Sequence, residues 1–200
     1  MSEFSTTRRV AMAGLAGVVA LAALPGRALA FTTAEAEALI DKVVRDINRI
    51  ISSGKSEAAM IRDFEKIFVD YADVARIALL VLGPDGRAAS ASQKSAFTRA
   101  FQGYVGRKYG KRFREFIGGR VEVKSARPVK SFYEVRTITT IKGYAPFEVV
   151  FVVSARNGRF IDMKIEGISL VKSERSEIGA MLDRRRGDLN KLIADLKTIG

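Results

Sequence analysis

Few side chains in this sequence could drive a reaction, and their types narrow the chemistry at once. Among 200 residues there is no His and no Cys. Their absence removes His general bases, Cys nucleophiles and the usual zinc and copper ligand sets. Carboxylate pairs, Ser–Lys arrangements and oxygen-ligated calcium remain, but no Asp-rich loop of the calcium type is present. Asp70 and Asp73 are close enough to act together, although capping helix ends is the commoner work of such residues. Ser169 and Lys172 form the nearest approach to a Ser–Lys pair, and their spacing matches no hydrolase motif. None of these patterns is more than weak evidence for a reaction or a metal site.

Positive charge is the second chemical feature. Lys and Arg number 34 against 22 Asp and Glu. The excess gathers at Arg107-Lys108, at Lys111, Arg112 and Arg114, and at Arg184-Arg185-Arg186. Each cluster is either a solvated helix face or a docking surface for an anionic membrane or acidic partner. Nucleic acid is an unsuitable partner, because the chain begins with an export signal. Arg8 and Arg9 precede an uncharged apolar run from Val10 to Leu24, Pro25 and Gly26 break it, and Ala28-Leu29-Ala30 supplies a cleavage pattern. The run is shorter than the ~20 residues of a spanning helix. Cleavage after Ala30 leaves a single domain, residues 31–200, with net charge +10. The mature chain is expected to be a soluble monomer that works outside the cytoplasm and is stable without disulfides. The Arg8-Arg9 pair leaves Sec and twin-arginine export both open.

The elements that must position these residues follow from periodicity. Thr33 caps a helix toward Ile51, Ser56 starts a second, and Asp73 starts a short third that ends near Gly83-Pro84-Asp85-Gly86. A long helix from Ser90 or Ser92 carries Phe97, Phe101, Tyr104 and Val105 on one face, with a break expected at Gly110. From Arg120 the period becomes two. Val121–Val123, Phe132–Ile141, Pro146–Ser154 and Phe160–Ile168 read as about four antiparallel strands, with Asn157-Gly158 as a hairpin turn. In the last strand Ile161, Met163 and Ile165 are expected on one face. Two short helices follow, Ser173–Arg185 and Asp188–Lys197. The class is α+β, with helices on one face of a curved antiparallel sheet.

Several segments resemble the MlaC family, also called the toluene-tolerance or ABC-transporter auxiliary family. They are Asp73-x-x-Arg76-Ile77 leading to Leu82-Gly83, Gln93-x-x-x-Phe97-x-x-x-Phe101-x-x-Tyr104 continuing to Tyr109, Ile165 to Val171 followed by Arg175-Ser176, and Gly187-Asp188-Leu189 with Leu192-Ile193 and Leu196. The resemblance spans essentially the whole mature chain. The family often carries Trp near Gly86 and Phe160, and this chain has none. The family's aromatic residue after the Arg-Ser pair is Ile178 here. The resemblance implies a periplasmic carrier, without catalytic residues, metal or cofactor, that takes phospholipid acyl chains into a pocket between helices and sheet. It implies partners at both membranes, an outer-membrane lipoprotein complex and an inner-membrane ABC transporter with MCE domains. A related branch accompanies hopanoid synthesis, so a hopanoid is the alternative cargo.

The apolar pattern is compatible with a pocket. The strand Pro146–Ser154 is apolar on both faces, whereas a sheet covered on one side needs only one. The second face is either covered or lines a cavity. Pocket-lining candidates are Ile77, Leu80, Val81, Phe97, Phe101 and Tyr104 from the helices and Val149, Phe151, Met163, Ile165 and Ile168 from the strands. Tyr104 is expected to place a hydroxyl near the mouth. Arg76 and Arg175 either contact phosphate or make structural ion pairs. Lys111, Arg112 and Arg114 are the candidate partner-docking residues.

Overall fold

The computed structural model describes residues 31–200, apart from the side chains of 113 and 114; the export signal lies outside the described residues. Helix α1 (Thr33–Ile51) starts at a capping box in which Thr32 and Glu35 satisfy each other's backbone N–H groups. Its buried stripe of Ala36, Ile40, Val43, Val44, Ile50 and Ile51 packs on the sheet. Asn48 ties the end of α1 to the edge strand. Its side chain donates to Val121 O at 3.2 Å and accepts from Val121 N at 3.3 Å.

Helices α2 (Glu57–Tyr71), α3 (Val74–Leu82) and α5 (Ala91–Gly110) complete the layer, with one turn of α4 (Asp85–Ala88) inside the expected Gly-Pro turn. Asp73 is the N-cap of α3, accepting from Arg76 N at 3.2 Å, and Asp70 pairs with Lys66 at 2.7 Å. Asp73 thus does the ordinary work of a helix end, and Asp70 makes a surface ion pair within α2. The α-helix α5 stops at Gly110 and continues as a 3₁₀ helix, Lys111–Phe116. Gly110 permits close helix packing, since a Cβ there would lie 2.8 Å from Ile61 Cγ1 and 2.9 Å from Ile61 Cα.

The sheet has five antiparallel strands in sequential order: β1 (Arg120–Val129), β2 (Phe132–Thr140), β3 (Phe147–Ser154), β4 (Phe160–Ile165) and a two-residue β5 (Ile168–Ser169). Its inner face, toward the helices, carries Val135, Thr137, Thr139, Val149, Phe151 and Val153. The outer face carries cross-strand ion pairs, Glu134 with Arg127 (2.5 Å) and Lys164 (2.6 Å), and Arg136 with Glu148. A β-bulge between Val152 and Val153 corrects the expected alternation of β4. Val153 pairs with Phe160 and Val152 with Asp162, so Ile161 is the inserted residue and leaves the face shared by Met163 and Ile165. Phe160 takes the inner position and meets Phe151 edge-on at 5.7 Å. Helices α6 (Leu170–Asp183) and α7 (Leu189–Asp195) pack beside α3 and α5.

Candidate functional site

Between the helices and the inner face of the sheet the core is hollow. The cavity holds about 650 Å³. The sheet contributes Val121, Thr137, Thr139, Val149, Phe151, Phe160, Met163 and Ile165. The helices contribute Val43 and Ile47 from α1, Phe64, Ile67 and Phe68 from α2, Ile77 and Val81 from α3, and Phe101 and Val105 from α5. Thr137, wholly buried, satisfies its hydroxyl by donating to Val149 O at 2.9 Å. The walls are therefore apolar in effect, and such a space takes hydrocarbon in preference to water.

Polar groups gather where α5 runs out. Lys108, Tyr109, Arg112, Glu115, Tyr144 and Glu174 all line this part of the cavity. The Lys108 ammonium donates to Glu174 Oε1 at 2.7 Å, to Tyr104 Oη at 3.0 Å and to Glu177. Tyr104 donates to Glu177 Oε1 at 2.8 Å, and Tyr109 donates to Glu174. Burial works against the charge on Lys108, but the two carboxylates outweigh it and hold the ammonium above its usual range. Burial, reinforced by the same carboxylates, pushes both Tyr104 and Tyr109 up. Glu177 is pushed up by burial and pulled down further by Lys108 and Tyr104, ending below the usual carboxylate range. Glu174 is only 4 % exposed, and its Oε2 has no hydrogen-bond partner among the described residues.

The structure brings Ile77, Val81, Phe101, Val149, Phe151, Met163 and Ile165 together around the cavity. It places the other four candidates elsewhere. Phe97 is wholly buried in the solid core and stacks on Phe101 at 5.8 Å. Tyr104 is buried too, with its hydroxyl held by Glu177 and Lys108 rather than offered to a ligand. Leu80 falls opposite the buried side of α3 (Ile77, Ala78, Val81 and Leu82) and borders a smaller pocket with Val152 and Ile161 on the outer side of the sheet. Ile168 is 66 % exposed, because Glu166 (φ 47°) and Gly167 (φ 82°) reverse the chain just before it. The two-sided apolar pattern of β3 is thereby resolved: one face lines the cavity, and Val152 on the other borders the smaller pocket with Leu80 and Val171. The contributions of α1 and α2 were visible as amphipathic stripes, with no signal separating a cavity wall from a packed core.

The cationic and polar candidates also divide. Arg107 donates to Leu196 O (2.6 Å) and Ile199 O (2.9 Å), and Arg185 pairs with Asp195, so these two have structural work. Arg76 lies over the Phe132 ring at 5.7 Å. Arg175 packs against the turn after α3; a Cβ on Gly83 (φ 62°) would come 2.9 Å from its Nε. The Leu82-Gly83 and Arg175-Ser176 segments, far apart in sequence, thus meet here. Lys111 donates to Gly200 O at 2.6 Å, and Arg112 is exposed beside the cavity; the side chain of Arg114 lies outside the described residues. Ser169 caps α6 by accepting from Lys172 N at 3.1 Å and donates to Asp162 Oδ2 at 2.6 Å. Among the described residues no group of three or more acidic side chains converges as a metal site, and no helix is long and apolar enough to cross a membrane.

A family model for the MlaC protein matches residues 37–198. The chain belongs to the MlaC family. A solved structure of similar fold is a phospholipid-binding protein from Ralstonia solanacearum in complex with a phospholipid. It is 20 % identical, with a TM-score of 0.67, and the match covers 80 % of this chain and 98 % of that one. The MlaC match takes in every element from α1 to α7 except the first turn of α1, and so includes all of the cavity wall.

Proposed function

We propose that this MlaC-family chain is a lipid carrier of the periplasm, holding phospholipid acyl chains in the cavity and releasing them unchanged. The observation that carries the proposal is the largely apolar cavity of about 650 Å³, with most of its charged groups gathered where α5 runs out. Each buried methylene is worth ~0.8 kcal/mol, so a dozen supply ~10 kcal/mol without any specific polar contact. The similar fold of a protein solved with a phospholipid supports the same cargo. In this reading residues 1–30 direct export and are removed, and residues 31–200 act as a single free domain. The carrier exchanges lipid between an outer-membrane lipoprotein complex and an inner-membrane ABC transporter with MCE domains, with Lys111, Arg112 and Arg114 facing the membrane partners.

The test is to purify the mature protein from a bacterial host, extract it with organic solvent and identify the extract by mass spectrometry. A phospholipid in near-stoichiometric amount is the expected result. A hopanoid in its place would move the cargo to the alternative branch. No bound lipid, together with no uptake in a vesicle transfer assay, would overturn the proposal.

A further inference from the structure

The end of the cavity that carries Arg112 and Glu115 is surrounded by exposed apolar and cationic side chains in an arrangement that fits a bilayer. The turn after the 3₁₀ helix abuts the β2–β3 loop: a Cβ on Gly119 would lie 2.6 Å from Thr140 O and 3.6 Å from Ile141 Cα. Two of the large hydrophobic side chains most open to solvent sit on these neighbouring segments, Ile117 at 55 % and Tyr144 at 71 % exposure. Tyr144 also lines the cavity, so the apolar rim is continuous with the apolar interior. Arg112, Lys111 and Lys142 are exposed on the same segments, and Glu115 is the acid among them. Arg112 and Lys142 have no ion-pair partner among the described residues.

We propose that this rim seats directly on a bilayer surface bearing anionic lipid, with Ile117 and Tyr144 entering the headgroup layer and Arg112 and Lys142 meeting phosphates. The inference rests on the carrier reading and extends it from partner complexes to the membrane itself. Its physical basis is the cost of moving an acyl chain through water, ~0.8 kcal/mol for every methylene exposed. An apolar rim pressed into the headgroups provides a path that excludes water. Tyrosine suits that interface because its ring is apolar and its hydroxyl is polar. Juxtamembrane cations each add ~1 kcal/mol on an anionic surface.

The chain contains no Trp, so Tyr144→Trp installs a single indole reporter at the rim. With vesicles of phosphatidylcholine mixed with phosphatidylglycerol, its emission should shift to the blue and be quenched by brominated lipid, and high salt should reverse both. Phosphatidylcholine alone should produce neither. Arg112→Glu combined with Lys142→Glu should weaken binding to the mixed vesicles by about 25-fold or more, from ~1 kcal/mol per cation. Arg87→Glu in α4 combined with Lys94→Glu at the start of α5 makes the same change in net charge, with Lys94 about 25 Å from Lys111 at 1.5 Å per residue, and should leave binding unchanged. An indole that stays in water with both vesicle types, or equal losses from the two charge reversals, would overturn the proposal. Lipid extracted from the same preparations keeps the two readings apart. Lipid carried without vesicle binding sinks only the bilayer contact, and vesicle binding by a protein that carries no lipid sinks the carrier reading.

Discussion

The two ends of the helical layer are built from the same kinds of residue and do opposite things. At one end α5, α6 and α7 close around Phe97, Ile178, Leu182, Leu192 and Leu196, each at most 4 % exposed. At the other, Val43, Phe64, Val81, Phe101 and Val105 surround a space. Helix α5 runs through both, and its apolar spacing is uniform across the change. The difference lies in what stands opposite. Phe97 finds ring-to-ring contact, whereas Val105 looks across the cavity toward a sheet held away by α1 and α2. A run of apolar residues is therefore evidence of burial from water, and whether it is packed or hollow depends on the partner surface.

Truncation at the closed end should have the largest effect. Phe97→Ala is expected to cost about 3–5 kcal/mol, because it leaves a cavity in dense packing, read as a fall in the urea midpoint. Enlarging a residue at the open end should do the reverse. Val105→Phe should leave stability within ~1 kcal/mol, since space already exists there, and should lower bound lipid several-fold when extracts are quantified. If Val105→Phe destabilises as much as Phe97→Ala, the two ends do not differ in the way described.

The polar network at the boundary gives the next contrast. Lys108→Met should cost about 1–3 kcal/mol by leaving Glu174 buried without its cation. Adding Glu174→Met should recover part of that loss, and the double-mutant cycle measures the coupling. Arg136→Ala, on the solvent side of the sheet, should change stability by less than ~1 kcal/mol.

The smallest effects near neutral pH come from titration, and they grow toward the extremes. Lys108 is raised from 10.5, and Tyr71 is raised from 10.0 to about 12 by burial and its bond to Asp46. A raised folded-state value means stability that is complete below the unfolded value and lost as pH rises through the folded one. The urea midpoint should therefore hold steady to about pH 10 and fall above it, with Tyr71→Phe removing part of the fall. Glu177 and Glu134 lie below 4.5, so their contribution is present above that value and disappears as pH drops through their depressed folded-state values.

Much of the fold was readable because local physics dictates it. Asp73 and Ser90 occupy the cap positions expected of them, and the period of two from Arg120 onward became the sheet. Errors arose where one residue changes parity or direction. Ile161 was expected beside Met163, and an inserted bulge residue moved it off that face. Ile168 was expected in the pocket, and a reversal at Glu166-Gly167 turned it to solvent. Leu80 and Tyr104 were chosen for apolar or amphipathic character alone. Helix rotation in one case and hydrogen bonds to Glu177 and Lys108 in the other decided their places.

The sequence by itself determined most of the element types, the α+β class and the absence of His and Cys chemistry. Each depends on neighbours within a few residues or on composition. The tertiary structure alone decided that the core is hollow at one end, that Arg107 caps a distant helix while Arg112 stands beside the cavity, and that Lys108 bridges two carboxylates from α6. These depend on distances between segments remote in sequence. A side chain's identity sets how much it gains by leaving water, but only the surface facing it decides whether packed protein or an open cavity receives it.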